Sequence, residues 1–144
     1  MRVSDVMHTP AVTCAPTSTL SEVGQLMARR QVGSVIVIDR VGEVAGIVTD
    51  RDIVLRGVGM DRSGDIAVDA VMTRNVATVG AGADVADAAA TMMKRRVRRL
   101  PVVDDDGRVH GLVALDDLVR NLGHQADDMS DLVRSQSSSR SPEA

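Results

Sequence analysis

The chain repeats itself, and this constrains its fold more than any single motif. Slid against itself by about 65 residues, the sequence falls into gapless register, with roughly fifteen identities over about fifty positions. Val3, Val6 and Met7 fall on Val68, Val71 and Met72, Thr13 on Thr78, Met27 on Met92 and Val32 on Val97. Val37 and Asp39 fall on Val102 and Asp104, and Gly42, Val44, Gly46 and Val48 on Gly107, Val109, Gly111 and Val113. With 144 residues to share, the chain carries two small copies that must build a core together.

Local signals parse each copy. In the first, Val12–Ala15 predicts a short strand that Pro16, Thr17 and Ser18 end. Thr19 and Glu22 have capping-box spacing, and Leu20, Val23, Leu26 and Met27 form one apolar helix face. Two β-branched runs, Ser34–Asp39 and Glu43–Thr49, flank a turn at Gly42 and predict a hairpin, followed by a short helix from about Arg51. The second copy repeats the order, with a strand near Val76–Val79, a helix Val85–Arg96 capped by Asp84, strands Leu100–Asp104 and Val109–Ala114, and a helix from Asp116. The expected fold class is α/β (α+β): two tandem β-α-β-β-α units related by a pseudo-two-fold. Residues 1–58 form repeat 1 and 68–124 repeat 2; the Gly-rich segment Arg56–Ile66 supplies the linker, placed at 59–67. Residues 125–144 read as a polar, disordered tail.

Composition removes several function classes. A net charge of −3 argues against a general nucleic-acid binder, and the complete absence of Phe, Tyr and Trp excludes an aromatic platform for stacking bases. Val, Ile, Leu, Ala and eight Met are left to fill the core. The lone Cys14 excludes an internal disulfide and reads as a small core hydrophobe. His8, His110 and His124 lack metal-ligand spacing, so no metal site is expected. No run is apolar and long enough to span a bilayer and no signal peptide is evident, which predicts a cytoplasmic protein with no membrane partner. No nucleophile elbow, Walker loop or Ser-His-Asp arrangement is present, so no catalytic residues are assigned and no enzyme activity is expected.

The remaining chemistry sits at two equivalent corners. "GIVTDRDIV", Gly46 to Val54, breaks an apolar run with Thr49, Asp50, Arg51 and Asp52; its twin "GLVALDDLV", Gly111 to Val119, places Asp117 on Asp52. A helix N-terminus offers unpaired N–H groups to an anion, and a carboxylate one turn in accepts two hydrogen bonds from a vicinal diol. The same residues also read simply as a helix cap, with Thr49 as N-cap and acids at the positive end of the dipole. The run Lys94 to Arg99 reads as a solvated basic helix end, or as a source of phosphate contacts from Arg98 or Arg99.

Two such copies, opening "DVM" and "AVM" and carrying "RRLPVVDDDGRVHGLV" in the second, resemble the CBS domain pair, or Bateman module, over about residues 3 to 122. The resemblance implies two clefts between the repeats that hold AMP, ADP, ATP or S-adenosylmethionine as a regulatory ligand, with no obligatory cofactor. It assigns the main site to Thr49, Arg51 and Asp52, faced by Thr78, Val79, Arg98, Arg99, Leu100 and Pro101 of the other copy. The second site would join Asp117 to Thr13, Cys14, Ala15, Gly33, Ser34 and Val35. There Ala114 replaces the motif threonine and Asp116 stands where Arg51 stands, which removes a hydroxyl and adds an anion opposite a phosphate. One good site and one weak site are therefore expected. The resemblance also implies a homodimer and a target protein that the sequence does not identify. The alternative is a structural or protein-interaction module whose nucleotide sites have decayed.

Overall fold

The computed structural model describes residues 1–121, so the expected disordered tail at 125–144 lies outside the described residues. The first copy contains β1 (Thr13–Cys14), α1 (Leu20–Arg30), β2 (Ser34–Ile38), β3 (Val44–Thr49) and α2 (Asp50–Asp52), which widens into a π-helical turn over Ile53–Gly57. The second contains β4 (Val79–Gly80), α3 (Val85–Arg95), β5 (Arg99–Val103), β6 (Val109–Ala114) and α4, helical over 115–121. Each copy forms a three-stranded sheet, ordered β1-β2-β3 and β4-β5-β6, with the first pair parallel and the second antiparallel.

The two sheets differ at one residue. In the first, the Ile36 N–H donates to the Val12 carbonyl (3.0 Å) and the parallel ladder runs Thr13–Ile36, Cys14–Val37. Pro101 occupies the position of Ile36 in the second copy and has no N–H to give. The ladder there begins at Val79–Val102, so the strand expected near Val76–Val79 is found at Val79–Gly80. No backbone donor among the described residues reaches the Ala77 carbonyl, the counterpart of Val12.

The copies exchange their opening segments. Val3 is fully buried in the cluster of Val85, Met92, Leu100, Val102 and Leu118, all from the second copy. Val68, Val71 and Met72 are buried with Leu20, Val23, Met27, Val35, Val37 and Val48 of the first. His8 and Leu112 exchange backbone hydrogen bonds (2.8 and 3.0 Å), and Thr73 and Ile47 do the same (2.9 and 3.0 Å). Each exchanged segment thereby adds a short bridge to the outer strand of the other copy's hairpin.

The repeated glycines follow from this crossing. A Cβ on Gly46 would lie 2.8 Å from the Thr73 carbonyl and 2.6 Å from Met72 Sδ; one on Gly111 would lie 2.7 Å from the His8 carbonyl. Only a residue without a side chain lets the foreign segment pass.

The helix starts are completed in the same crossed manner. Thr19 Oγ1 accepts from the Glu22 N–H (3.1 Å), while the Ile66 and Gly64 carbonyls accept from Leu20 and Ser21 (3.0 Å each). Asp84 Oδ1 accepts from Ala86 (2.9 Å) and the Met1 carbonyl from Val85 (3.1 Å). The segment read as a linker thus caps α1 with its own backbone.

Candidate functional site

The corner between β3 and α2 is built by reciprocal capping. Asp52 N–H donates to Thr49 Oγ1 (3.1 Å) and Thr49 N–H donates to Asp52 Oδ2 (3.0 Å). Asp52 Oδ1 has no protein donor among the described residues. The capping reading of this motif is thus realised, and one carboxylate oxygen is left over.

Thr49 and Asp52 open onto a cleft of about 400 Å³ whose far wall belongs to the second copy. Ile47 joins them on the near side; Thr73, Asn75, Val76 and Ala77 line the segment leading to β4, and Arg95, Val97, Arg98 and Arg99 the turn from α3 into β5. Arg95 is braced by the Asn75 carbonyl (2.8 Å) and Arg98 makes a 3.5 Å pair with Asp116, exposed on both sides and so weakened by solvent. Three guanidinium groups against the carboxylate of Asp52 in the lining, and that of Asp116 outside it, leave the cleft a positive surplus. Ala77, whose carbonyl Pro101 leaves without a sheet donor, also lines this wall.

Of the residues assigned to the main site, the structure gathers Thr49, Asp52, Arg98 and Arg99 around one cleft. Arg51 is exposed and Thr78 lies outside the lining, while Val79 and Leu100 are buried in the second core and Pro101 is buried between Leu100 and Val102 on β5. Sequence reasoning missed Ile47, Thr73, Asn75, Val76, Ala77, Arg95 and Val97. The internal register held a signal for Arg95, which falls on Arg30 in the other copy.

A second cleft, about 460 Å³, is the repeat-related counterpart, lined by His8, Pro10, Ala11, Val12, Arg30 to Ser34, Leu112 and also Arg99. Of the residues assigned to the second site it gathers Gly33 and Ser34; Val35 is fully buried beneath. Thr13, Cys14 and Ala15 line a separate groove of about 540 Å³ with Pro16, Ile38 and Arg40. Burial pushes the Cys14 thiol up from its usual 9.0 to about 11, which keeps it protonated and unreactive at neutral pH. Asp117 lies outside the lining of that cleft, and its Oδ2 is 2.8 Å from His8 Nε2, which does line it. Among the described residues no cluster of His, Cys, Asp or Glu could hold a metal ion, and no helix is long and apolar enough to cross a membrane.

Comparison with known proteins agrees with this architecture. The family model of the CBS domain matches twice, over residues 3–59 and 67–124. The chain is 37% identical over 119 residues to the CBS domain-containing protein YhcV of Bacillus subtilis, covering 83% of this chain and 84% of that one. It is 39% identical over 119 residues to inosine-5'-monophosphate dehydrogenase of Mycobacterium leprae, but spans only 22% of that protein's length. Among solved structures it is similar to the CBS domain pair of protein MJ0100 in complex with 5'-methylthioadenosine and S-adenosyl-L-methionine (TM-score 0.78, 27% identity, 87% of this chain and 98% of that one). It also resembles CBSX2 in complex with AMP (TM-score 0.72, 26% identity, 87% and 98%). Two family-model matches that together span most of the chain, and a relative 37% identical over most of both chains, make this chain a member of the CBS domain family, with two CBS domains in tandem.

Proposed function

We propose that the chain is a regulatory module that binds an adenosine ligand, preferably a phosphorylated one, in the cleft built on Thr49 and Asp52. The observation that carries the reading is the pairing of one unspent carboxylate oxygen, Asp52 Oδ1, with three arginines across the same cleft. The carboxylate suits the two ribose hydroxyls; Arg95, Arg98 and Arg99 suit phosphate oxygens, for which guanidinium is the fitting donor. Ile47, Val76 and Val97 offer the aliphatic surface for an adenine ring that no aromatic residue can stack, and the Ala77 carbonyl is an acceptor for its amino group. The AMP complex of CBSX2 and the adenosine-ligand complex of the MJ0100 domain pair support this reading.

The second cleft is the weaker one. It lacks a threonine at Ala114, its Val12 carbonyl is spent on Ile36, and its Asp117 is engaged by His8. Those losses favour, for that cleft alone, a structural or protein-interaction role. The module works as a homodimer that acts on a target protein in the cytoplasm and catalyses nothing itself. Exposed Val54, Leu55 and Val58 after α2, and Val119 on α4, the repeat partner of Val54, supply an apolar face for the second copy.

Equilibrium dialysis of the purified chain against AMP, ATP and S-adenosylmethionine tests the reading by ultraviolet absorbance, in which a protein without Trp or Tyr is almost silent. Saturable uptake near one ligand per chain, with AMP or ATP ahead of the cationic S-adenosylmethionine, is the expected result. No uptake at millimolar ligand transfers the argument to an interaction module and leaves Thr49 and Asp52 as a helix cap.

A further inference from the structure

We propose that His8 is an internal occupant of the second cleft: its imidazole holds the Asp117 carboxylate, and a nucleoside reaches that carboxylate only by displacing it. The inference rests on the adenosine-binding reading and says how one of the two clefts is kept closed.

Asp52 and Asp117 occupy the same position in their repeats, yet their carboxylates have different partners. Asp52 Oδ2 accepts from the backbone N–H of Thr49, which fixes the side chain against its own corner. In the second copy the reciprocal cap is lost with Ala114, which offers no hydroxyl, and no bond joins its N–H to the Asp117 carboxylate. Asp117 Oδ2 instead meets His8 Nε2 at 2.8 Å. An ionised carboxylate can only accept, so Nε2 carries the hydrogen.

The exchange of opening segments places the imidazole there. His8 is pinned beside β6 by its two backbone bonds to Leu112, so its ring projects from a fixed point on the cleft wall. Thr73 has the same backbone arrangement beside Ile47, but its side chain makes no bond to Asp52. Each carboxylate keeps one oxygen without a protein donor among the described residues. One residue difference at equivalent positions nonetheless leaves Asp52 in the lining of its cleft and puts an imidazole over Asp117, so that His8 and not Asp117 lines the other. The exposures suit a displaceable cover: the His8 side chain is 69% exposed, whereas that of Asp117 is 16% exposed. A displaced imidazole returns to water readily, while the carboxylate beneath needs a new donor, which a ribose diol supplies.

The test uses the full chain carrying Asp52→Ala, which weakens the first cleft, with adenosine as probe. Adding His8→Thr, which copies Thr73, should tighten adenosine binding about tenfold, and Asp117→Ala should then abolish the gain. Unchanged or weaker binding on His8→Thr, or a gain that survives Asp117→Ala, overturns the proposal. An independent readout is the ring resonances of His8, which should shift when Asp117→Ala is made in the otherwise unaltered chain; unshifted resonances also overturn it. If the unaltered chain binds no adenosine compound at all, the adenosine reading itself fails. Binding at the first cleft with an indifferent His8 sinks this proposal alone.

Discussion

Thr49 and Asp52 hold each other in place: each donates its backbone N–H to the other's side chain, at 3.0 and 3.1 Å. Capping and ligand recognition are compatible here because a carboxylate has two oxygens and the cap uses one. Asp52→Ala removes both functions at once. We expect it to weaken AMP binding by about 1.5 to 3 kcal/mol, the value of a hydrogen bond to a charged group, and to cost about 1 kcal/mol of stability through the lost cap. Asp117→Ala should leave AMP affinity within about twofold, because its carboxylate lies under His8, outside the lining of its cleft. Calorimetric titration of both variants decides the matter; equal losses would refute the single good site.

The arginines of the first cleft carry a separate expectation. Arg99→Ala should weaken AMP about tenfold and leave uncharged adenosine nearly unaffected, since it removes a phosphate donor and nothing that touches the base or ribose. AMP affinity should also fall as salt rises, and adenosine affinity should not. A parallel loss for both ligands would place Arg99 outside the phosphate subsite.

Gly46→Ala and Gly111→Ala should each destabilise the fold by about 1 to 3 kcal/mol, because the new methyl group would press on a carbonyl of the exchanged segment. Urea midpoints measure the effect. Gly24→Ala, where the added atom meets open space inside α1, should be neutral or slightly stabilising.

Cys14 gives a pH signature. Its folded thiol titrates near 11 instead of 9.0, so the folded state binds the proton more tightly than the unfolded chain does. The resulting stabilisation is complete below pH 9 and is lost as pH rises through about 11. Cys14→Ala should flatten that alkaline decline in thermal midpoint, and the native thiol should resist alkylation at neutral pH until the protein is unfolded.

Much of the fold is legible in the sequence because duplication reports each element twice. Hairpins and capped helices fall where alternation, Gly42, Gly107, Thr19 and Asp84 place them. The exchange is invisible to the same reasoning, since Val3 and Val68 are interchangeable in any pattern of apolar residues, and only tertiary packing says which sheet each one joins. The displaced start of β4 was written in Pro101, which stands where the first copy has Ile36 and has no N–H for the ladder. At the site, charged and hydroxyl groups of the motif were readable, but Thr73, Asn75, Val76 and Ala77 form the cleft wall through chain path alone. Arg95 and His8 were hidden in plain register, each set against its counterpart, Arg30 and Thr73.

The crossed cores also bear on how such a protein is made. A nascent chain that has delivered the whole first repeat from the ribosome still lacks Val68, Val71 and Met72, which close that repeat's core. The second core, in turn, waits on Leu118 while already owning Val3, the first of its residues to be synthesised. The first core therefore becomes complete only with the opening of the second repeat, and the second only with Leu118 near its end: the cores close in order, but neither closes at the boundary of its own repeat.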